Sequence, residues 1–584
     1  MTIMDYDKIL DELGHFSKWH MVQVSLLSTY AIFAAFGILS FSFTGLEPEE
    51  FRCLIPECHE DPSNATVKQY GTNIFWHDSN GDVDYCKTRP IVKENIISGQ
   101  CTNQSFDFDE NLERNEYVTC DPNEEIIYGT FGMNSTAVTE FNLVCRDEYK
   151  VFLTASITMS ALLVGSYVFG YLADRFGRKI PSVLALFITG SGLMLGAFMP
   201  EYISFTTTRF ISGFGSVGVL LIPCGNCVEI VGVKYKMLAG LLSHILFPIG
   251  EAIIGALAVK VRDYSTYQWI LAIPCFIMGI VYILFISESP RWLIKKKKYK
   301  EATKILQNMA KFNDVKLSSG LIIFPTEDFQ KDYAHTKNQK RTSITDQTHL
   351  RTIDLFKHAE CRKITLIMMT IWISVNLGYY GIALSSTSLS SDIYLNFILQ
   401  ALVEIPSTII CILTMDHIGR KTLLVSALFL CGICCVPAGY APVDIKTALV
   451  LIGKSGASMA FAVCYIHTVE MYPTVIRGTG LGLSSLAGRI GGLLAPLVAL
   501  YLPNFTFETF PLVLFGSASM VSAISALWLP ETLGAPLVEE LDELRIIREH
   551  SKPFFSWWSS TKVRDNVEMM TKLQHPIIIS NNKK

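Results

Sequence analysis

One short signature is written twice into this chain of 584 residues. Asp174-Arg175-Phe176-Gly177-Arg178-Lys179 returns 242 positions later as Asp416-His417-Ile418-Gly419-Arg420-Lys421. Two more landmarks keep nearly the same register: Glu229 and Glu470 are 241 apart, and Glu288 and Glu531 are 243 apart. Each stands beside long apolar runs. Three charged landmarks with a common offset imply two homologous membrane halves in one polypeptide.

The remaining composition fits that reading. Half of the residues are apolar, only 17% are charged, and mean hydropathy is +0.34, whereas a soluble chain carries about a quarter charged residues. The apolar residues gather in runs of roughly 20, the length that crosses a bilayer core of about 30 Å. Charge and Gly/Pro clusters divide them into twelve spans, near 21–43, 149–172, 181–199, 203–228, 237–259, 267–287, 362–383, 391–413, 422–440, 446–470, 480–502 and 509–529. The expected architecture is an all-α membrane protein of two pseudo-symmetric six-helix bundles, 21–287 and 362–529. The first bundle carries a large loop, 44–148, and a polar segment, 288–361, joins the two. Flanking them are an N-terminal segment, 1–20, and a tail, 530–584. The first 18 residues contain Asp5, Asp7, Lys8, Asp11 and Glu12 and no apolar core, so the first span is expected to act as its own insertion signal. A net charge of −4 gives no reason to expect a nucleic-acid partner.

Orientation follows from two independent counts. In the short loops one side collects Arg175, Arg178, Lys179, Lys234, Lys236, Arg420, Lys421 and Arg477, while the other has only Lys260, Arg262 and Lys446. The positive-inside rule then places the repeated signature, both termini and 288–361 in the cytoplasm. All four glycosylation sequons, at Asn64, Asn103, Asn134 and Asn504, fall on the opposite side. The 44–148 loop also holds Cys53, Cys58, Cys86, Cys101, Cys120 and Cys145. An even set in an oxidising compartment implies three disulfides, with the connectivity left open.

These residues resemble a known group. Asp174–Lys179 and Asp416–Lys421 are similar to the paired loop motifs of the major facilitator superfamily. Ser287-Glu-Ser-Pro-Arg-Trp-Leu293 and Pro530-Glu-Thr-Leu-Gly534 resemble its sugar-porter and organic-ion branches. The run from Ser135 to Cys145, Asp354-Leu-Phe356, Tyr379-Tyr-Gly381, Asn396, Val403-Glu-Ile-Pro406 and Glu470-Met-Tyr-Pro473 with Arg477 narrow the likeness to the organic cation/carnitine/organic anion transporters. The likeness runs from about residue 5 to 535. It implies the major facilitator fold, with halves that rock about a central cavity. It also implies that Asp174, Arg178, Glu229, Asp416, Arg420, Glu470 and Arg477 form cytoplasmic gates. Plain topogenic charge is the bland reading of the same residues.

Charges inside the spans are the sharper signal, because a buried ion costs a few kcal/mol or more and usually faces a cavity. Arg489, Glu251, Glu404 and Lys454 are such residues. Members of the resembled family that prefer cations tend to be acidic where this chain has Arg489; its carnitine and anion carriers have Arg. Glu251 departs from the family pattern. Glu404, beside Pro406, reads as structural. Tyr379 and Tyr380 map onto the family's pocket. Phe461 and Tyr465, four apart on one helix face, either extend that wall or simply pack. Leu220 stands where cation carriers often have Trp, and His467 reads as a packing histidine.

The expectation is a plasma-membrane secondary transporter of small organic ions, and not an enzyme. Zwitterions or amine-bearing metabolites, carnitine-like or amino-acid-derived, satisfy both Arg489 and Glu251. An organic anion carrier is the alternative. A sugar porter is disfavoured by Leu533 and by the cysteine-bearing loop. A non-transporting receptor on the same scaffold conflicts with the intact duplicated gates. The partners expected are the substrate and membrane lipid, with a coupling ion, Na⁺ or H⁺, left open. No cofactor or metal site is expected.

Overall fold

Twelve apolar helices dominate the computed structural model. It describes residues 6–315 and 354–533, except 49, 55–57, 59–73, 78–82, 93–95, 97–100, 102–104, 108–117, 120–125, 130–132, 233–234, 386–391, 473–475 and 508. Asn64, Asn103, Cys120, Lys234 and most of the central loop and tail therefore lie outside the described residues.

The helices are α1 (Lys18–Thr44), α2 (Tyr149–Phe176), α3 (Lys179–Gly196), α4 (Tyr202–Ile230), α5 (Lys236–Lys260) and α6 (Tyr264–Phe285). The second set is α7 (Ala359–Leu384), α8 (Ile393–Ile418), α9 (Arg420–Ala438), α10 (Val443–Met471), α11 (Arg477–Pro496) and α12 (Phe510–Ala526). Among the described residues eleven are long and apolar enough to cross a membrane, and α12 is a shorter apolar helix of 17 residues. Several outrun the apolar stretches: α1 begins at Lys18 rather than 21, and α10 spans Val443–Met471 rather than 446–470. Backbone hydrogen bonding does not stop where side chains turn polar. Asp263 and Asp392 set two of the starts, accepting from Thr266 N at 2.8 Å and Leu395 N at 3.0 Å as N-caps of α6 and α8.

Packing repeats as the sequence does. In the first half α4 packs on α1, α2 and α3, α3 on α6, and α1 on α5. In the second, α10 packs on α7, α8 and α9, α9 on α12, and α7 on α11. Each pair recurs six helices later. The two halves join through α5 with α8 and α2 with α11, and the duplication exchanges these two contacts. The interface is thus pseudo-symmetric, and whatever lies between the halves lies on its axis.

The 44–148 loop forms a small β-structure on one side of the helices. β1 (Phe51–Cys53) pairs antiparallel with β5 (Ile126–Tyr128); β2 (Phe75–His77), β3 (Val83–Thr88) and β4 (Val118–Thr119) make a second sheet. Disulfides link Cys58 to Cys101 and Cys86 to Cys145, and Cys53 is disulfide-bonded as well. Arg262 O accepts from Asn134 N at 2.7 Å, and Ser135 Oγ donates to Asp263 Oδ1 at 2.7 Å, which docks the loop on the α5–α6 turn.

On this same side the halves are in contact. Ser156 Oγ of α2 donates to Leu493 O at 3.3 Å, Phe152 lies 4.6 Å from Tyr501, and Phe43 of α1 stacks on Tyr394 of α8 at 5.6 Å. Asn504 Nδ2 donates to Glu148 across the same seam. That nitrogen is the atom a glycan would occupy. Asn134 is exposed.

Peptide mapping of unreduced protein should recover Cys58 linked to Cys101 and Cys86 to Cys145. A Cys86→Ser variant, opening a link that spans 59 positions, should lose about 2–4 kcal/mol of stability in thermal unfolding. Recovery of Cys86 joined to Cys58 would contradict this loop structure.

Candidate substrate-binding site

The C-terminal ends of α2 and α8 stop at glycines with φ of +102° and +104°, Gly177 and Gly419. The next helix starts at once, and its free backbone amides need acceptors. Glu288 accepts from Arg178 N at 2.7 Å and Lys179 N at 3.1 Å. Glu531 does the same in the second half, from Arg420 N at 2.8 Å and Thr422 N at 3.3 Å. A Cβ on Gly177 would meet Glu288 Oε2 at 2.3 Å, and one on Gly419 would meet Glu531 Oε2 at 2.5 Å. The third landmark pair therefore caps the helices that the first pair begins.

The arginines extend each cluster. Arg178 reaches Asp174 at 3.0 Å and Glu229 at 2.8 Å. Arg420 reaches Asp416 at 3.0 Å and Glu470 at 3.2 Å. Burial disfavours the charge on Arg178, yet its hydrogen bonds to Glu229 and Asp174 outweigh this and raise its pKa. Thr532 Oγ1 donates to Glu470 at 2.5 Å, and Arg291 Nε donates to Glu229 O at 2.8 Å. Arg477 donates to Tyr472 O at 3.3 Å. Each of these ion pairs joins residues of one half.

Far from these clusters, four helices bring charge into the bundle interior. Lys454 of α10 lies 2.9 Å from Glu404 of α8, with side chains 0% and 2% exposed. Its ammonium donates to Tyr379 O at 3.1 Å and sits 3.7 Å from the centre of the Tyr379 ring. The ion-pair oxygen, Glu404 Oε1, lies off the hydrogen-bonding direction. Glu404 Oε2 accepts from Tyr379 OH at 2.9 Å and from Ser458 at 3.3 Å. Glu404 thus holds α7, α8 and α10 together, as its structural reading implies, while forming a wall of the site.

Glu251 of α5 reaches Glu404 from the other half, is 2% exposed, and leaves Oε1 without a hydrogen-bond partner. Pro248 and Pro406 each stand within three residues of these carboxylates and leave a helix carbonyl unbonded. Arg489 of α11 is 7% exposed and hydrogen-bonds Tyr380. Among the described residues it forms no ion pair with a carboxylate. Its approach to α7 depends on a missing side chain, since a Cβ on Gly491 would fall 2.1 Å from Ile373 O.

Aromatic rings complete the enclosure. Tyr379 lies 5.3 Å from Tyr380 and 5.1 Å from Phe461, Phe461 lies 5.6 Å from Tyr465, and Tyr465 meets Trp372 edge-on at 4.5 Å. Toward the signature loops His244 of α5 approaches Phe461 at 6.2 Å and Tyr465 at 6.3 Å. The halves therefore meet above the charged residues and again below them. The six central candidates, Glu251, Tyr379, Tyr380, Phe461, Tyr465 and Arg489, fall in one cluster on the pseudo-symmetry axis. His467 is buried against Thr532, apart from them, and Leu220 is half-buried on α4.

Comparisons with known proteins identify the family. The family model for the sugar (and other) transporters matches residues 103–544. The organic cation/carnitine transporter 2 of Rattus norvegicus is 30% identical over 544 residues, covering 92% of this chain and 94% of its own. The chain belongs to the major facilitator transporters, in the organic cation/carnitine/organic anion branch. An organic cation transporter protein of Drosophila melanogaster is 29% identical over 548 residues, covering 92% of this chain and 94% of its own. Among solved structures, the xylose transporter of E. coli in a partially occluded inward-open conformation superposes with a TM-score of 0.56. That match has 14% identity and covers 89% of this chain and all of the other, so it bears on fold alone. This major facilitator protein is a multi-pass membrane transporter, not an enzyme.

Two interior residues escape a reading of charge and motif. Arg209 of α4, 1% exposed, donates to Ser40 Oγ at 3.0 Å and Gly37 O at 3.3 Å, clamping α1. A lone arginine inside an apolar run was the available signal. His244 carries no signal of its own, because only the approach of α5 to α10 gives it neighbours.

Removing Lys454 alone strands a buried carboxylate, a loss of about 3–5 kcal/mol. Lys454→Met should therefore lower the unfolding temperature sharply, and Glu404→Gln/Lys454→Met should recover part of the loss. A double variant no more stable than the single one would show that the pair is not what holds these helices.

Proposed function

We propose that this transporter moves small organic ions across the plasma membrane by alternating access, favouring zwitterions that carry an ammonium and a carboxylate. The single observation behind this is that two buried, oppositely charged groups are left open around Tyr380. Arg489 has no carboxylate partner among the described residues, and Glu251 has an unpartnered oxygen. Both influence the Tyr380 hydroxyl, one from each half. A guanidinium suits a carboxylate through a bidentate fork, and a carboxylate beside aromatic faces suits an ammonium. The names of the relatives, which include carnitine and organic cations, support the same class. Positive charge on the signature loops, opposite the disulfide-bearing loop, supports cytoplasmic termini.

Arg489→Asp should weaken uptake of a labelled carboxylate-bearing ammonium compound, carnitine for example, by about 10- to 100-fold, the worth of one charge-assisted hydrogen bond. Arg489→Lys should be impaired too, since a point charge cannot copy the fork. Competition by cations, anions and zwitterions against one labelled substrate, normalised to surface protein, reads the preference. A preference ratio left unchanged in Arg489→Asp would remove Arg489 from charge selection, and exclusive uptake of anions would favour the organic anion reading.

The cytoplasmic clusters serve as gates in this proposal. Because each holds its own half rigid at the loop where the halves must part, weakening both shifts the balance between outward and inward states. Asp174→Asn/Asp416→Asn should reach the surface yet turn over several-fold more slowly. Wild-type turnover in that double variant would reduce these residues to topogenic charge.

A further inference from the structure

In one place the duplication keeps the backbone landmark and reverses the charge. After Glu288 the first half continues Ser-Pro-Arg-Trp-Leu-Ile-Lys-Lys-Lys-Lys-Tyr-Lys300. After Glu531, its counterpart, the second continues Thr-Leu-Gly-Ala-Pro-Leu-Val-Glu-Glu-Leu-Asp-Glu543. Between 291 and 304 stand Arg291 and six lysines against one acid, Glu301. Both segments follow the same capping glutamate, so the repeated fold does not demand the lysines.

The basic run is held at one corner of the first half. Ser289 Oγ accepts from Trp292 N at 3.2 Å and opens a short helix, Pro290–Lys295. Trp292 is buried, its Nε1 donates to Asp174 O at 3.2 Å, and a Cβ on Gly177 would meet its ring at 3.3 Å. The helix closes with Lys297 N donating to Ile294 O at 3.0 Å and Lys298 N to Leu293 O at 2.9 Å, which leaves Lys297 at a φ of +61°. Glycine takes this left-handed, helix-ending position without strain. A lysine stands there instead, against the preference of the backbone. Lys296 and Lys298 lie 6.0 and 5.8 Å from the centre of the Trp292 ring. All six lysines are exposed, and only Lys298 has an ion-pair partner among the described residues, Glu301 at 3.2 Å.

This corner borders the membrane. Helix α6 ends with Leu284 and Phe285 exposed. Tyr171 and Phe176, on the last turns of α2, are exposed as well, and Arg175 Nη1 donates to Tyr171 OH at 2.9 Å. Aromatic and basic side chains bare at the end of a spanning helix mark the headgroup level. Trp292, bonded to the residue next to Arg175, sets the lysines beside that level.

We propose that Lys295–Lys300 docks on anionic lipid headgroups and ties the first half to the membrane surface, while the matching segment of the second half is acidic and repelled. A basic cluster just beyond a spanning helix is drawn to anionic lipid, each lysine contributing about fivefold in affinity. Exposed lysines around an open turn suit the flat array of headgroups at a bilayer surface. The inference rests on the proposed cytoplasmic placement of this segment, because anionic lipid is concentrated in that leaflet.

The test equilibrates the full-length chain with mixed micelles of equimolar phosphatidylserine and phosphatidylcholine and counts retained lipids by native mass spectrometry. Micelles offer lipid to both faces, so orientation does not enter. Wild-type protein should retain phosphatidylserine in preference. Lys295→Gln/Lys297→Gln/Lys300→Gln spares the lysines at Trp292 and should lower the preference by about 100-fold. The same three positions changed to Arg should keep it, and Lys260→Gln, on the opposite side, should leave it unchanged. Lys297→Gly should weaken the preference by about fivefold yet raise the unfolding temperature, since glycine suits the turn. A preference that survives the triple Gln variant would overturn the proposal, as would a lower unfolding temperature in Lys297→Gly. Retention of inositol hexaphosphate but not of phosphatidylserine would give the surface to a soluble phosphate and overturn the lipid assignment. Labelling of Lys297→Cys on intact cells by an impermeant thiol reagent would overturn the orientation, and with it the leaflet named here.

Discussion

The cost of placing charge where no water can reach it organises this protein. A bare ion in the hydrocarbon region costs several kcal/mol or more, so every interior charge needs a partner or a purpose. Arg209 meets the requirement by clamping the backbone and a serine of α1. Lys454 and Glu404 meet it by pairing, with Tyr379 completing the shell. Glu251, with one oxygen unpartnered, and Arg489, with no carboxylate partner among the described residues, are less fully answered, and both lie where the two halves face each other. Function is read from what the fold leaves open, whereas the satisfied charges are part of its framework.

The duplication turns this chemistry into a machine. Because α2 meets α11 and α5 meets α8, the two seams are equivalent contacts used twice. A rocking motion can open one end of each seam while closing the other without breaking either half. The rigid parts are built at the signature loops, where a positive-φ glycine lets a glutamate sit on the amides of the following helix. With a side chain at either glycine, the glutamate could not approach and the arginine beside it would lose its setting. In this arrangement the halves touch on one side of the site at Phe43–Tyr394 and Phe152–Tyr501, and on the other at His244–Phe461.

Much of this was legible beforehand. The three landmark pairs carry the two-half architecture, because homologous halves fold alike and apolar runs of span length have only the helix as a solution in hydrocarbon. The six central candidates could be named because charge and paired aromatics are rare enough inside spans to stand out. Glu404 reads as structural beside Pro406, yet nothing along α8 says that its partner is Lys454, 50 positions away on α10. Helix ends were less legible than helix existence, since hydrogen bonding carries α1 and α10 beyond their apolar runs.

The sequence by itself determined where the apolar spans lie, that they fall into two related halves, and which residue types are costly enough to be kept for a reason. These depend on local quantities: hydropathy over a span, charge beside it, and a motif's internal spacing. The tertiary structure alone decided which charge answers which. Arg489 and Glu251 read equally well as partners of each other, and the fold instead sets Glu251 against Glu404 and leaves Arg489 on Tyr380. Pairing depends on distances of a few ångströms between helices far apart in the chain, and within a low-dielectric interior those distances decide which groups are neutralised and which stay available to a ligand.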